Sequence, residues 1–201
     1  RPTMEEQKSL AATAATICRE IETVFITAET KGFDPRRIIV EEITKTAKGG
    51  GHVVVQGVGR EGLMMKGFAM RLFHLGLNAS CVGDMTAPFV GEGDLLIASA
   101  GPGGFGTVDA ICRRGKEAGA RVLLLTAQPG GSAARFADAV AVIPAQTMAD
   151  HDGHCCSVSA LPMGSLYEGA LFLLFEMAVL ALAPALGQTA QTMGSRHTNL
   201  E

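Results

Sequence analysis

The most informative ten residues of the chain are Val53-Val54-Val55-Gln56-Gly57-Val58-Gly59-Arg60-Glu61-Gly62. The apolar run at 53–58 predicts a buried strand, and glycines spaced as G-x-G-x-x-G then turn the chain into a helix predicted at 62–75. Such a turn brings the free N–H groups of a helix N-terminus to the carboxyl end of a strand, where they attract anions. We therefore expect Gly59, Arg60, Glu61 and Gly62 to bind a ligand.

Outward from this stretch, the chain repeats the same pattern of apolar runs and helical segments. Further strands are predicted at 79–82, 95–99, 122–126 and 139–143. These runs are continuous rather than alternating, which indicates burial on both faces, and helical patterns at 62–75 and 107–118 separate them. The prediction is an α/β fold, a three-layer, doubly wound five-stranded parallel sheet of the flavodoxin-like type.

The flanks of the sheet are predicted to be helical. Apolar residues at steps of three or four predict N-terminal helices within 4–48, the second of them capped by Asp34 and Pro35. The last helix, 164–183, is apolar nearly all round, which indicates a core or a subunit interface. With a sheet core at 52–183 and a polar tail at 187–201, we expect one domain over residues 1–201.

Composition excludes several classes of partner. The net charge is -3 and the pI is about 6.0, so no basic field is available to hold a nucleic acid or an anionic membrane surface. The longest apolar stretch, 170–183, ends before Pro184 and is shorter than the roughly 20 residues of a membrane span. No secretory signal is visible, and we expect a cytoplasmic protein.

A second glycine loop, Gly101-Pro102-Gly103-Gly104-Phe105-Gly106, follows the predicted strand at 95–99. Two anion-attracting loops on neighbouring strands predict one ligand, with contacts from Ser99, Gly101, Gly103 and Gly104. The first loop with Asp84 also fits a nicotinamide-dinucleotide fingerprint. However, the acid lies 27 positions after Gly57 instead of about 20, and the chain has no room for a substrate domain. We therefore expect no cofactor.

The cysteines do not form a metal-binding or disulfide pattern. None of the five is spaced as C-x-x-C, which favours small buried side chains in a reducing compartment. The segment His151-Asp152-Gly153-His154-Cys155-Cys156 contains zinc-ligand types without the gap that lets two thiolates converge, and a polar loop is the favoured interpretation. We expect no metal.

Several segments together resemble a known family. They are Gly57 to Gly62, Gly67-Phe68-Ala69-Met70-Arg71-Leu72-Phe73-His74-Leu75-Gly76, Asp94 to Ile97, Ser165-Leu166-Tyr167-Glu168 and Arg196-His197-Thr198-Asn199-Leu200-Glu201. They are similar to the sugar isomerase (SIS) domain family, and within it to the 6-phospho-3-hexuloisomerases. The resemblance implies a homo-oligomer, with a tetramer as the expected form, that binds a phosphosugar and interconverts 3-hexulose 6-phosphate and fructose 6-phosphate without a cofactor.

That reaction moves a carbonyl from C3 to C2, so a base must remove the C2 proton to form an enediol. The resemblance implies Glu168 as this base, and its place in the first turn of an apolar helix agrees, because burial raises a carboxyl pKa. The alternative is an acid that only favours the helix dipole, in a non-catalytic sugar-phosphate-binding module. A Glu168 carboxylate that points into the cleft between the glycine loops favours the enzyme.

The resemblance implies further site residues, each with an alternative. His74 would act on the carbonyl or the sugar ring, or else cap its helix. His197 would reach a neighbouring subunit, or lie solvated in the tail. Arg60 would face the phosphate, or be a surface arginine, and Thr86 is a candidate substrate contact.

Both glycine loops depart from the family pattern, which has serine and threonine hydroxyls there. This chain has Glu61 in the first loop and Ala100-Gly101-Pro102-Gly103-Gly104-Phe105 in the second. Pro102 removes one N–H donor, and a carboxylate at Glu61 would repel phosphate by about 1 to 4 kcal/mol at about 4 Å. Either Glu61 pairs with Arg60 or Lys66, or the sugar is less charged or differently substituted.

Overall fold

The computed structural model describes residues 9–152 and 159–200, and its centre is a five-stranded sheet in which every strand pair is parallel. The strands are β1 Val53–Gln56, β2 Ala79–Cys81, β3 Leu95–Ser99, β4 Arg121–Thr126 and β5 Ala139–Val142. Their order is β2-β1-β3-β4-β5, so the winding direction reverses between β1 and β3. Ligands of such sheets bind at the carboxyl ends of the strands beside this reversal.

Helices cover both faces of the sheet. They are α1 Leu10–Thr30, α2 Pro35–Lys48, α3 Gly59–His74, α4 Gly106–Glu117, α5 Ser165–Ala185 and α6 Ala190–Gly194. Val53 and Val55 pack with α2, α3 and α5 on one face, whereas Val54 packs with α4 and a 3-10 turn at Ser132–Phe136 on the other. This arrangement confirms the predicted doubly wound, three-layer α/β architecture. The apolar strands are buried on both faces, as their continuous apolar runs indicated.

The first glycine loop is shorter than predicted, because β1 ends at Gln56 and α3 begins at Gly59 rather than at residue 62. Arg60 and Glu61 therefore lie in the first turn of a helix. Val58 is the N-cap residue and makes no capping hydrogen bond through its side chain, so the start of the helix carries no sequence signal. A Cβ at Gly62 would lie 2.7 Å from the Gly57 carbonyl oxygen, and this close approach of helix to strand explains the glycine spacing.

The last long helix also differs from its prediction. α5 continues through Pro184 to Ala185, and among the described residues it alone is long and apolar enough to cross a membrane. Half of its apolar stretch is buried inside the fold, it packs against α2 and α3, and its Glu176 pairs with Arg71 of α3 at 3.0 Å. α5 is therefore a core helix of this fold. The segment predicted as a polar tail contains α6.

Candidate active site

A cleft of about 410 Å³ opens at the carboxyl ends of the strands. It is lined by the first turn of α3, by Phe105 of the second glycine loop, and by the first turn of α5 with the residues before it. The site thus lies where the reversal of strand order predicts, and its volume is within the range of small-molecule sites. Neither α3 nor α4 has a side-chain cap, so the free amides of both first turns face this end of the sheet.

Glu168 and Arg60 form an ion pair in the cleft. Arg60 Nε lies 3.0 Å from Glu168 Oε2. The guanidinium also donates from Nη1 to Ser165 Oγ at 2.9 Å and from Nη2 to the Met163 carbonyl oxygen at 2.6 Å. These three contacts join the first turns of α3 and α5. Arg60 is therefore more than a surface arginine, and the Glu168 carboxylate has a defined position in the cleft.

Two opposing effects set the proton affinity of Glu168. Burial raises the pKa of its carboxyl above the ordinary value, and the positive charge and hydrogen bond of Arg60 act in the opposite direction. The net direction is a raised pKa, so the Glu168 carboxylate is more basic than that of an exposed glutamate. Glu168 lines the cleft together with Gly59, Arg60 and Glu61 at the start of α3 and with Phe105 of the second glycine loop.

Glu61 makes contacts that its sequence position did not indicate. It is only 7% exposed, and its Oε2 accepts a hydrogen bond from the Ser99 hydroxyl at 2.6 Å. The Gly101 amide donates to both carboxylate oxygens, at 3.2 and 3.1 Å. The expected pairing with Arg60 or Lys66 is replaced by this network, because Arg60 is turned toward Glu168. Burial raises the pKa of Glu61, and the bonds from Ser99 and Gly101 oppose that rise.

The remaining loop residues lie at differing distances from the cleft. Ser99 is fully buried, with its hydroxyl directed at Glu61. Gly103 packs on the following loop, where its carbonyl accepts from the Ala133 amide at 3.0 Å, and Gly104 lies beside Ser132 and Asp109. Gly59 lines the cleft directly, whereas Gly62 packs on Gly57. Thr86 lies exposed in the turn after β2.

His74 lies far from Glu168 of the same chain. It ends α3, fourteen residues and about 21 Å along the helix from Arg60. It is 7% exposed, and its ring stacks on that of His197 with centroids 5.3 Å apart. Arg196 Nη1 donates to the His74 carbonyl oxygen at 2.9 Å, so the end of the tail is fixed at the end of α3. His197 is exposed on one side but is not a freely solvated tail residue.

The segment considered as a zinc site in the sequence cannot be compared with the structure. The side chains of His151 to Cys156 lie outside the described residues. Within residues 9–152 and 159–200, no three His, Cys, Asp or Glu side chains are grouped closely enough to hold an ion.

Two contributors to the site carried little sequence signal. Tyr167 is fully buried beside Glu168, with its hydroxyl 3.4 Å from Ser99 Oγ. Met163 has a positive φ of 54°, rare for a residue with a side chain, and presents its carbonyl to Arg60. As the only tyrosine of the chain, Tyr167 was identifiable, whereas the conformation of Met163 depends on contacts that no sequence pattern reveals.

Comparison with known proteins identifies relatives over most of the chain, although no family model matches it. The 3-hexulose-6-phosphate isomerase of Mycobacterium gastri is 37% identical over 168 residues, covering 84% of this chain and 82% of the relative. The enzyme of the same name from Bacillus subtilis is 36% identical over 149 residues, covering 74% of this chain and 80% of the relative.

Solved structures share the fold. A protein from Methanococcus jannaschii, whose structure was taken to infer a 3-hexulose-6-phosphate isomerase function, has a TM-score of 0.77 at 22% identity and covers 94% of this chain and 99% of its own. The NanR protein of Vibrio vulnificus, complexed with ManNAc-6P, has a TM-score of 0.69 at 16% identity, covering 95% of this chain and 68% of its own.

The resemblance to SIS proteins is confirmed, and the chain belongs to the 3-hexulose-6-phosphate isomerase family.

Proposed function

We propose that this protein is a sugar-phosphate isomerase that interconverts 3-hexulose 6-phosphate and fructose 6-phosphate through an enediol, with Glu168 as the base. Glu168 supports this role because its carboxylate lines the cleft, 3.0 Å from the Arg60 guanidinium. The names of relatives at 36–37% identity support the substrate.

The reaction requires one proton to leave C2 of 3-hexulose 6-phosphate and one to arrive at C3. Glu168 takes the C2 proton, the electron pair of the C–H bond forms the C2–C3 double bond, and the C3 oxygen becomes an enediol oxygen. The hydroxyl proton of the C2 oxygen passes to the C3 oxygen, the same carboxyl returns its proton to C3, and the C2 oxygen becomes the carbonyl. Arg60 fixes the carboxylate for both transfers, and the free amides of the first turn of α4 attract the phosphate.

Substitution of Glu168 by glutamine tests the base. Glu168→Gln keeps size and helix propensity but removes the basic oxygen, so turnover should fall by about 100- to 10,000-fold with nearly unchanged stability. Glu176→Gln, on the same helix and paired with Arg71, is the matched control and should retain activity.

Hydrogen exchange at carbon measures the proton removal by Glu168 directly. In heavy water the unmutated protein should exchange the C3 hydrogen of fructose 6-phosphate, and Glu168→Gln should not. Absence of both exchange and turnover with every hexulose phosphate tested would reject the isomerase and favour the binding module. Equal exchange by both proteins would keep the isomerase and reject Glu168 as its base.

The same proposal includes a homotetramer in the cytoplasm. Six large apolar side chains are exposed on α3 and α5, two helices that pack together: Leu63, Met70, Phe73, Phe172, Leu173 and Leu180. Large apolar side chains exposed on neighbouring helices favour a subunit interface. The described cysteines Cys18, Cys81 and Cys112 are free thiols, which agrees with a reducing compartment.

A further inference from the structure

The hydrogen-bond donors of residues 99–103 are already engaged within the chain. The Ser99 hydroxyl and the Gly101 amide both donate to Glu61. Pro102 has no N–H, and the Gly103 amide donates to the Ala100 carbonyl at 2.9 Å. Glycine-rich turns after parallel strands commonly use such donors to hold an anion. The anion that they hold here is the carboxylate of Glu61.

The surroundings of this carboxylate leave little room for a second anion. Ser99 is 0% exposed, and Gly101 lies against both Tyr167 and Glu61. A Cβ at Gly101 would lie 3.0 Å from Tyr167 Cδ1 and 3.1 Å from Glu61 Oε1. Glu61 nevertheless reaches the lining of the cleft. A carboxylate has about four acceptor positions, so it can still accept a hydrogen bond from a ligand hydroxyl.

We propose that Glu61 is a specificity-determining residue: its carboxylate occupies the anion-binding donors of the second glycine loop, so that this part of the cleft accepts a sugar hydroxyl and excludes the phosphate. This inference deepens the proposed isomerase function and rests on it. It also gives the ligand an orientation: the hydroxyl meets Glu61 in the first turn of α3, and the phosphate is left to the free amides of the first turn of α4.

Calorimetric titration with inorganic phosphate tests the exclusion without depending on catalysis. Glu61→Gln removes the charge and keeps the size, and should bind phosphate at least about fivefold more tightly than the unmutated protein, since one charge at about 4 Å has at least that effect. Glu92→Gln is the matched control. It removes the same charge from an exposed turn before β3, at the amino ends of the strands and therefore at the end of the sheet away from the cleft, and should leave phosphate affinity unchanged.

Ser99→Ala, a nearly isosteric change at a buried position, provides a second test. Alone it should leave phosphate affinity unchanged, because the hydroxyl already serves Glu61. A folded Glu61→Gln protein that binds phosphate no more tightly than the unmutated protein would overturn the proposal. So would a loss of affinity in Ser99→Ala alone, which can be measured even where Glu61→Gln does not fold.

The two proposals fail in distinguishable ways. Loss of hydrogen exchange from fructose 6-phosphate bears on the isomerase alone, whereas the phosphate titrations bear on Glu61 whether or not the protein turns over substrate.

Discussion

Arg60 is the residue through which the first glycine loop acts on Glu168. Its guanidinium contacts a carboxylate, a hydroxyl and a backbone carbonyl, all within the first turn of α5 and the residues just before it. The planar fork of an arginine suits such divergent acceptors better than a lysine ammonium. Because Met163 presents its carbonyl from a left-handed conformation, the backbone strain there is coupled to the position of the base.

Arg60 should also set the pH range in which the base is ionised. Its charge lowers the pKa of Glu168, against the rise caused by burial. Arg60→Gln removes the opposing charge, so the pKa of Glu168 should rise. Because the base acts in its ionised form, activity is lost as pH falls through this pKa. The acidic limb of the kcat/KM profile should therefore move to higher pH in the variant.

The matched control for this experiment is Arg113→Gln, which removes an arginine paired with Glu117 on the exposed side of α4. Its acidic limb should coincide with that of the unmutated protein. An unshifted limb in Arg60→Gln, in a folded protein, would show that the Arg60 charge does not act on the base.

At residue level the sequence predicted the location of Glu168, and it named Glu61 as a ligand-binding residue without indicating the contacts that Glu61 makes. Glu168 opens an apolar helix that follows the sheet, so its place at the strand ends follows from topology alone. The contacts of Glu61 are with Ser99 and Gly101, which are 38 and 40 positions away and reach it only when β1 and β3 pair. No local sequence pattern indicates these contacts. From the sequence alone, the simplest expectation was therefore that the Glu61 charge repels phosphate.

Helices and strands were predictable where burial determines the pattern of apolar residues. β3 is predicted to the residue because Leu95 to Ser99 are all buried, and turns bound it. α3 was predicted three residues too short at its start because Val58 and Gly59 carry no capping side chain and Gly59 has a φ of 56°. The same helix places His74 about 21 Å from the cleft of its own chain, a separation that helix length alone indicates.

Two glycines of α3 allow a matched test of its packing on β1. Gly62→Ala would place a methyl group 2.7 Å from the Gly57 carbonyl oxygen, and should destabilise the protein by about 1 to 3 kcal/mol. Gly67→Ala, on the exposed side of the same helix with nothing within 4 Å, should instead stabilise it by about 0.5 to 1 kcal/mol. Denaturant unfolding measures both changes, and equal effects from the two substitutions would contradict the close-packing explanation.

The whole molecule is asymmetric about its sheet. One face carries α2, α3 and α5 over the larger core, and the other carries α4 and a 3-10 turn over the smaller one. On the larger side α5 buries one part of its apolar surface inside the chain and leaves Phe172, Leu173 and Leu180 exposed. A helix that is apolar all round is covered on every side in a stable protein, so the outer side of α5 is expected to face another subunit.

Light scattering tests this expectation. The unmutated protein should show a multiple of 20.9 kDa at micromolar concentration, four times that mass for the tetramer. Leu180 is 75% exposed on α5, so Leu180→Glu should leave the fold intact but shift the mass toward 20.9 kDa, because burying a carboxylate at an apolar interface is costly. Met85→Glu, at a position 96% exposed in the turn after β2, should keep the unmutated mass. A mass of 20.9 kDa for the unmutated protein would mean that the apolar side of α3 and α5 is not a subunit interface.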